Sequence, residues 1–503
     1  MYSSIISGTI LGLKSFLINV EVDFSQGFPC FVMVGSLGAE IKESAERVRT
    51  ALKNSGMSLP PMHISVNLSP ADIKKYGTGF DLPIAAGLLT DMKIIDPHRL
   101  QNTLVLGELG LNGEVKKVSG VLPIVWEAVK QGVKRCIVPE ENANEALLVP
   151  GIEVIGVADL ISLVKYLNKE LLLAPKVRAE NIPIANKITL DFKDVIGQEN
   201  IKRGAMIAAA GFHHFLISGP PGTGKSMIAK RIPSILPPLD EQESMDVTSI
   251  YSVAGKLNAD NPIIKIRPFV SPHHSISTMG MVGGGSIPKP GAISLAHKGV
   301  LFLDELPEFS RQSIDMLRQP LEDKKITIVR AAGNFTYPAD IMLVAAMNPC
   351  PCGYYPDRNK CSCTPAMIQQ YVGHISGPIL DRIDICLSAN PVAIKELQNN
   401  RSGLSSESMG GLVRKARECQ NERFKGTDIN FNSELGPEQI SKYCHLEKEE
   451  ETFIVKLSEK LNVSARAYHR IIRVARTIAD LDASEKIRKE HLAEAAGYRP
   501  QLT

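Results

Sequence analysis

Apolar positions along the chain change rhythm twice. In the first third, Val20-Glu21-Val22-Asp23-Phe24 and Ile64-Ser65-Val66-Asn67-Leu68 alternate apolar with polar residues and predict strands, while Leu104–Gly107 and Arg135–Pro139 predict buried strands. Ser44–Leu52 and Ile124–Gln131 have helical spacing. Residues 1–168 therefore read as one α/β domain. Periodicity is lost over 169–190, where a linker is predicted. From 191 to 391, opening at Asp194–Asn200, apolar runs alternate with helical stretches, the pattern of a parallel sheet covered by helices. Residues 392–503 turn helical and charged, and Thr452–Leu461 and Ala465–Leu481 keep apolar positions at helical spacing, which predicts an all-α lid.

Three of the central apolar runs end in chemistry. Phe215-Leu216-Ile217 leads into Gly219, Pro220, Pro221, Gly222, Thr223, Gly224, Lys225 and Ser226, which meet the phosphate-loop pattern G-x-x-x-x-G-K-[ST] at every fixed position, and a helix is predicted from Met227. Glycines let backbone N–H groups curl around an anion at the positive end of the following helix. On this pattern Lys225 reaches the β- and γ-phosphates of ATP, and the Ser226 hydroxyl ligates Mg²⁺. The run Val300–Leu303 ends in Asp304 and Glu305. Behind a phosphate loop, such a pair places Asp304 beside the metal and Glu305 where it can polarise an attacking water. Ile341–Met347 is a third buried run, ending in the amide of Asn348.

These motifs, in this order, resemble the AAA+ ATPases. The resemblance gives Asn348 the part of sensor 1, which orients the attacking water. It makes Arg382, in Gly377–Asp384, an arginine finger that completes a neighbouring subunit's site, and Arg466, in Ser464-Ala465-Arg466, the sensor 2 arginine. Arg267–Ser277, Gly283–Gly285 and Pro290–Gly299 resemble the magnesium-chelatase-like branch. In the front domain, Gly107–Val115 and Val133–Asn142 are similar to the proteolytic domain of Lon-type proteases, yet Ile84 stands at the serine position and Leu122 at the lysine position. Neither side chain can act in a Ser–Lys dyad, so the resemblance implies the fold without its chemistry. The whole chain resembles the YifB/ComM family, which implies a homo-hexameric ring that hydrolyses ATP and drives branch migration of joined DNA as a helicase in recombination and natural transformation.

Hints of DNA outside the resemblance are local. Lys324–Gly333, with alternating Ile326 and Ile328, predicts a β-hairpin. In the related MCM helicases a hairpin here carries a basic residue into the ring pore, and Arg330 falls on that position. It would grip backbone phosphates of single-stranded or branched DNA without reading sequence, or be an incidental charge on a solvated hairpin. Arg466, Arg470, Arg473 and Arg476 lie near one helical face; beyond Arg466, they line a DNA path or form a solvated face, and the solvated face is expected. His273 and His274, in the segment before Gly283, are candidates for substrate contact or for structure.

Cys350, Cys352, Cys361 and Cys363 form two C-x-C pairs. Four thiolates so close in sequence suit a closed tetrahedral Zn²⁺ site, structural rather than catalytic. The other five of the nine cysteines are scattered, which argues against a disulfide framework. A length of 503 residues predicts two or three domains, and a formal charge of +3 means that any basic surface must be local. No apolar run approaches the ~20 residues of a membrane span, and the start lacks a secretory signal, so a cytoplasmic location is expected. Two rivals stand beside the DNA motor: a chelatase-like or chaperone-like ATPase that remodels a protein, and an ATP-dependent protease, which Ile84 and Leu122 exclude.

Overall fold

A computed structural model describes residues 2–176, 189–285, 288–330, 333–391 and 403–499. Most of the predicted linker, 177–188, and the start of the predicted lid, 392–402, lie outside these residues.

The N-terminal part is built on a seven-stranded sheet in the order Cys30–Val34, His63–Ser69, Lys14–Ser25, Tyr2–Leu11, Thr103–Val105, Arg135–Pro139, Glu153–Val157. Tyr2–Leu11 and Lys14–Ser25 form a long antiparallel hairpin, and the last three strands run parallel to Tyr2–Leu11. Each face of the sheet has its own core. Ile84, on the wholly buried helix Asp81–Asp91, packs with Val20, Val22 and Ile137. Leu122, on helix Val121–Lys130, packs with Leu104, Cys136 and Val138. Because alternate strand residues point to opposite faces, the two positions occupy separate cores.

The central sheet is all parallel, in the order Phe269–Val270, Val300–Leu303, Met342–Met347, Phe215–Ser218, Ile385–Ser388. Its strands read as unbroken apolar runs because helices cover both faces. The predicted hairpin is present: Lys325–Arg330 pairs antiparallel with Gly333–Pro338, Arg330 opposite Gly333. Ile326, Ile328, Phe335 and Tyr337 turn inward onto the core that holds Leu303 and Leu306, while Arg330 is exposed.

The C-terminal helices, Ser406–Arg423, Lys448–Leu461, Ala465–Leu481 and Lys489–Gly497 among them, share a core with helix Glu199–Gly211 and the strand Phe215–Ser218. Here the structure corrects the expected solvated face. Arg470 and Arg476 are buried. Arg470 donates to Ile383 O (2.9 Å), Arg473 to Ser433 O (3.0 Å), and Arg476 to Ser484 O (2.6 Å) and Glu485 O (2.8 Å). Neighbouring loops fold back over this side of the helix, and their carbonyls need donors once buried. These arginines are clamps, and Arg466 alone of the row is exposed.

The N-terminal part docks on the centre through helix Glu241–Val253, where Gly120 N–H donates to Ser252 O (3.0 Å). The buried Glu145 accepts from both Ser252 Oγ and Leu122 N–H. Among the described residues no helix is long and apolar enough to cross a membrane.

Candidate nucleotide site

The order of the central sheet gathers the three polar run-ends. The strand before the phosphate loop lies between Met342–Met347 and Ile385–Ser388, with Val300–Leu303 one place further. Register sets Ser218 beside Met347 and Leu303 beside Ala345, so the loop, Asn348 and the acidic pair leave the sheet at one edge. A crevice outside the carboxyl ends of parallel strands is where ligands bind in such sheets.

Glycine is required at particular points of the loop. A Cβ on Gly219 would stand 2.5 Å from Ala389 O. Gly222 and Gly224 have φ of 79° and 82°, and nothing lies within 4 Å of where their Cβ atoms would be. That open flank fits a phosphate cradle. Lys225, at the start of helix Lys225–Ala229, is buried and folds back, its Nζ donating to Gly219 O (2.6 Å), Pro220 O (2.9 Å) and Asn348 Oδ1 (3.1 Å). Burial pulls its pKa down, against the opposing charges of Asp304 and Glu305. Thr223 Oγ1 donates to Pro220 O (2.8 Å), closing the loop on itself. Ser226 Oγ donates to Asp304 Oδ2 at 2.6 Å, a pairing of hydroxyl and carboxylate that suits a hard divalent cation such as Mg²⁺. Glu305 has left-handed backbone angles (φ 52°, ψ 51°), which cost a non-glycine residue about 1 kcal/mol. Its carboxylate is half exposed.

Lys225, Ser226, Asp304 and Asn348 are therefore brought together, with Glu305 adjoining. Arg382 and Arg466 are placed elsewhere. Both line a cavity of about 420 Å³ to which the phosphate loop contributes no residue. Within it, Arg382 pairs with Glu322 and donates to Pro378 O. Arg473 and His213 pin the chain two residues on, at Asp384 (3.5 and 2.9 Å).

Sequence reading missed Gln198, whose Nε2 donates to Thr223 O (3.3 Å) and Asn390 O (2.6 Å) and so ties the loop to the end of the last strand. Its position in Asp194–Asn200, just before a helix, was the available signal. The segment after Asn348 was also read without its contact: Gly353 (φ 88°) lies so near Pro221 that a Cβ would come within 2.6 Å of the proline ring. That segment carries the cysteine cluster. The sulfurs of Cys350, Cys352, Cys361 and Cys363 lie within 4.8 Å of one another, with separations of 3.4, 3.6 and 3.8 Å among the first three. Sulfurs at the corners of a tetrahedron with bonds of about 2.3 Å lie about 3.8 Å apart, so the thiols fit a tetrahedral metal ion.

Comparison with known proteins matches three stretches of the chain. Family models described as magnesium chelatase, subunit ChlI, match residues 191–397; subunit ChlI of Mg-chelatase, 20–142; and its C-terminal part, 403–499. The competence protein ComM of Haemophilus influenzae is 42% identical over 497 residues, 98% of this chain and 96% of its own. The chain belongs to the YifB/ComM family. The uncharacterized YifB of Escherichia coli is 41% identical over 492 residues, 97% of this chain and 95% of that one. A shorter similarity, 36% over 118 residues, joins 23% of this chain to 21% of Lon protease 2 of Bacillus subtilis. YifB/ComM proteins are magnesium-chelatase-like AAA+ proteins, so this member is an ATPase, with ATP and Mg²⁺ implied as nucleotide and cation.

Proposed function

We propose that the protein is a ring-forming motor, a homo-hexamer that hydrolyses ATP to move DNA and acts as a helicase in branch migration. The observation that carries the reading is the hairpin. It projects an exposed Arg330 from the core that also seats the strand before Asp304 and Glu305, so a phosphate-gripping side chain and the hydrolytic acids are built on one core. The Haemophilus relative is named a competence protein, which accords with a part in natural transformation.

In this reading Lys225 and the N–H groups of the loop bind the phosphates, while Ser226 and Asp304 hold Mg²⁺, which supplies charge neutralisation at the transferred phosphoryl. Glu305 takes a proton from the attacking water and Asn348 orients that water. Arg382 and Arg466, away from their own loop, complete a neighbour's site. Residues 1–168 serve as a Lon-like domain without peptidase chemistry, 191–391 as the ATPase core and 392–503 as the lid, in a cytoplasmic protein. Zn²⁺ on the four cysteines braces the segment behind the phosphate loop.

The test is ATP turnover with and without single-stranded and forked DNA, for the wild type and Arg330→Ala. DNA stimulation that Arg330→Ala loses supports the reading. Turnover indifferent to every DNA form sinks it and leaves the chelatase-like remodelling of a protein partner. Mixing Lys225→Ala with Arg382→Ala, each inactive alone, is expected to restore turnover, since some interfaces then join an intact loop to an intact arginine.

A further inference from the structure

The N-terminal part also meets the central part at the turn of its long hairpin. Leu11 and Leu13 flank Gly12, whose φ of 70° lets the chain reverse between Tyr2–Leu11 and Lys14–Ser25. Both leucines pack against the core that holds Ile326, Ile328, Phe335 and Tyr337 of the Arg330 hairpin. Gly12 lies over Phe335: a Cβ there would be 3.4 Å from its Cδ1, 3.7 Å from its Cβ and 3.9 Å from its Cα. The turn therefore rests on the strand itself and not only on the ring.

The turn is held from behind. Ile10 and Ser15, which pair in register just before it, are both fixed. A Cβ on Gly120 would come within 1.7 Å of Ile10 Cδ1, and Ser15 Oγ donates to Pro123 O (2.7 Å). Gly120 and Pro123 open helix Val121–Lys130, and the Gly120 N–H is the group that bonds Ser252 O on helix Glu241–Val253. The Arg330 hairpin has need of such support. It forms a two-stranded sheet of its own, and isolated two-stranded hairpins are marginal in water. Phe335 stands opposite Ile328, two rungs from the pair of Arg330 with Gly333, or about 7 Å along the strand. Beyond that rung Val329, Arg330, Gly333 and Asn334 are exposed, so the turn meets the hairpin at its last covered rung.

We propose that Leu11 and Leu13 are positioning residues for the Arg330 hairpin, and that the front domain serves the motor as a fixed brace for it. With the turn seated, the Phe335 rung stays on its core and Arg330 keeps one stance toward a phosphate. With the turn loosened, the hairpin frays from its tip inward and Arg330 takes many stances. Ordering them at each encounter with DNA costs conformational entropy and weakens binding. The loss falls on DNA binding, while Lys225, Ser226 and Asp304 keep their contacts. The inference rests on the DNA-motor reading.

The experiment uses the full chain: the wild type, Leu11→Ala with Leu13→Ala, and Leu11→Met with Leu13→Met. Hydrogen exchange over 325–338 is measured without nucleotide or DNA, and affinities are measured for a labelled single-stranded oligonucleotide and for a fluorescent ATP analogue. The alanine pair should speed exchange over 325–338 and weaken DNA binding about tenfold, with analogue affinity and the protection of His63–Ser69 unchanged. The methionine pair, which keeps the apolar volume, should match the wild type. Gly12→Cys with Phe335→Cys reads the same contact without touching the leucines. It sets two Cβ atoms 3.7 Å apart, within the span of a disulfide. The oxidised form should bind DNA several-fold more tightly than the reduced form and keep DNA-stimulated turnover. If the alanine pair exchanges and binds as the wild type does, or if the disulfide abolishes a stimulation that reduction restores, the inference falls alone. If the wild type neither binds DNA nor turns over ATP faster with it, the DNA-motor reading fails and the inference fails with it.

Discussion

The two sheets of this protein treat their interiors differently. In the central sheet, three neighbouring parallel strands end in Gly219, Asp304 and Asn348, and a lysine ammonium is buried among their carbonyl and amide oxygens. In the N-terminal sheet, Ile84 and Leu122, the positions that the Lon resemblance aligns with a serine and a lysine, lie in the cores of opposite faces, too far apart to form a pair, and both are almost wholly buried. Packing serves both regions, but only the first leaves polar groups converging on an open flank. Aliphatic side chains at such positions stabilise the fold by burial, where desolvated charge would cost it free energy.

Three changes would break or sharpen that contrast. The largest effect is expected from placing the dyad's residue types at the two aligned positions, Ile84→Ser with Leu122→Lys. It should give no peptide cleavage and lower stability by several kcal/mol, since a hydroxyl and an ammonium would enter two separate apolar cores; urea unfolding and a labelled-casein assay check both halves. Next, Glu305→Gln should cut kcat for ATP by about a hundredfold or more while leaving nucleotide affinity near wild type, because the amide cannot accept the proton from water. A parallel loss of binding would place Glu305 in the binding site instead.

The smallest effect concerns pH. His297 is buried, its Nδ1 accepts from Asp340 N–H (3.0 Å), and burial pushes its pKa down to about 4. The folded state therefore favours the neutral ring. Its contribution is complete above the unfolded value of about 6.5 and declines as pH falls from there toward 4, amounting to about 2 kcal/mol by pH 5. Urea midpoints at pH 7 and pH 5 should differ less in His297→Gln than in the wild type.

Much of the central region was legible because its signals are local. An apolar run followed by a glycine-rich or acidic tip is readable within ten residues, and the hairpin announced itself through Ile326 and Ile328. The rest depends on what lies opposite. Helical spacing put Arg470, Arg473 and Arg476 on one side of a helix, but spacing alone cannot show that loops 433–435 and 484–485 cover that side and supply carbonyls. Motif order named Arg382 and Arg466 without showing that they share a cavity apart from the loop. Gln198 and Gly353 were silent for the same reason, since each acts through a contact with a residue distant in sequence. In the front domain the strand Tyr2–Leu11 went unread, although it pairs with both Lys14–Ser25 and Thr103–Val105.

The strand order of the central sheet also has a consequence for synthesis on the ribosome. The strand that carries the phosphate loop is made first but lies inside the sheet, flanked by Met342–Met347 and Ile385–Ser388. Until those later strands emerge, Phe215–Ser218 has two unpaired edges, while the N-terminal sheet is complete once Glu153–Val157 has been made. The nascent chain therefore carries a finished front domain ahead of an open apolar strand. During that interval the newborn ATPase is most exposed to aggregation and most in need of chaperones.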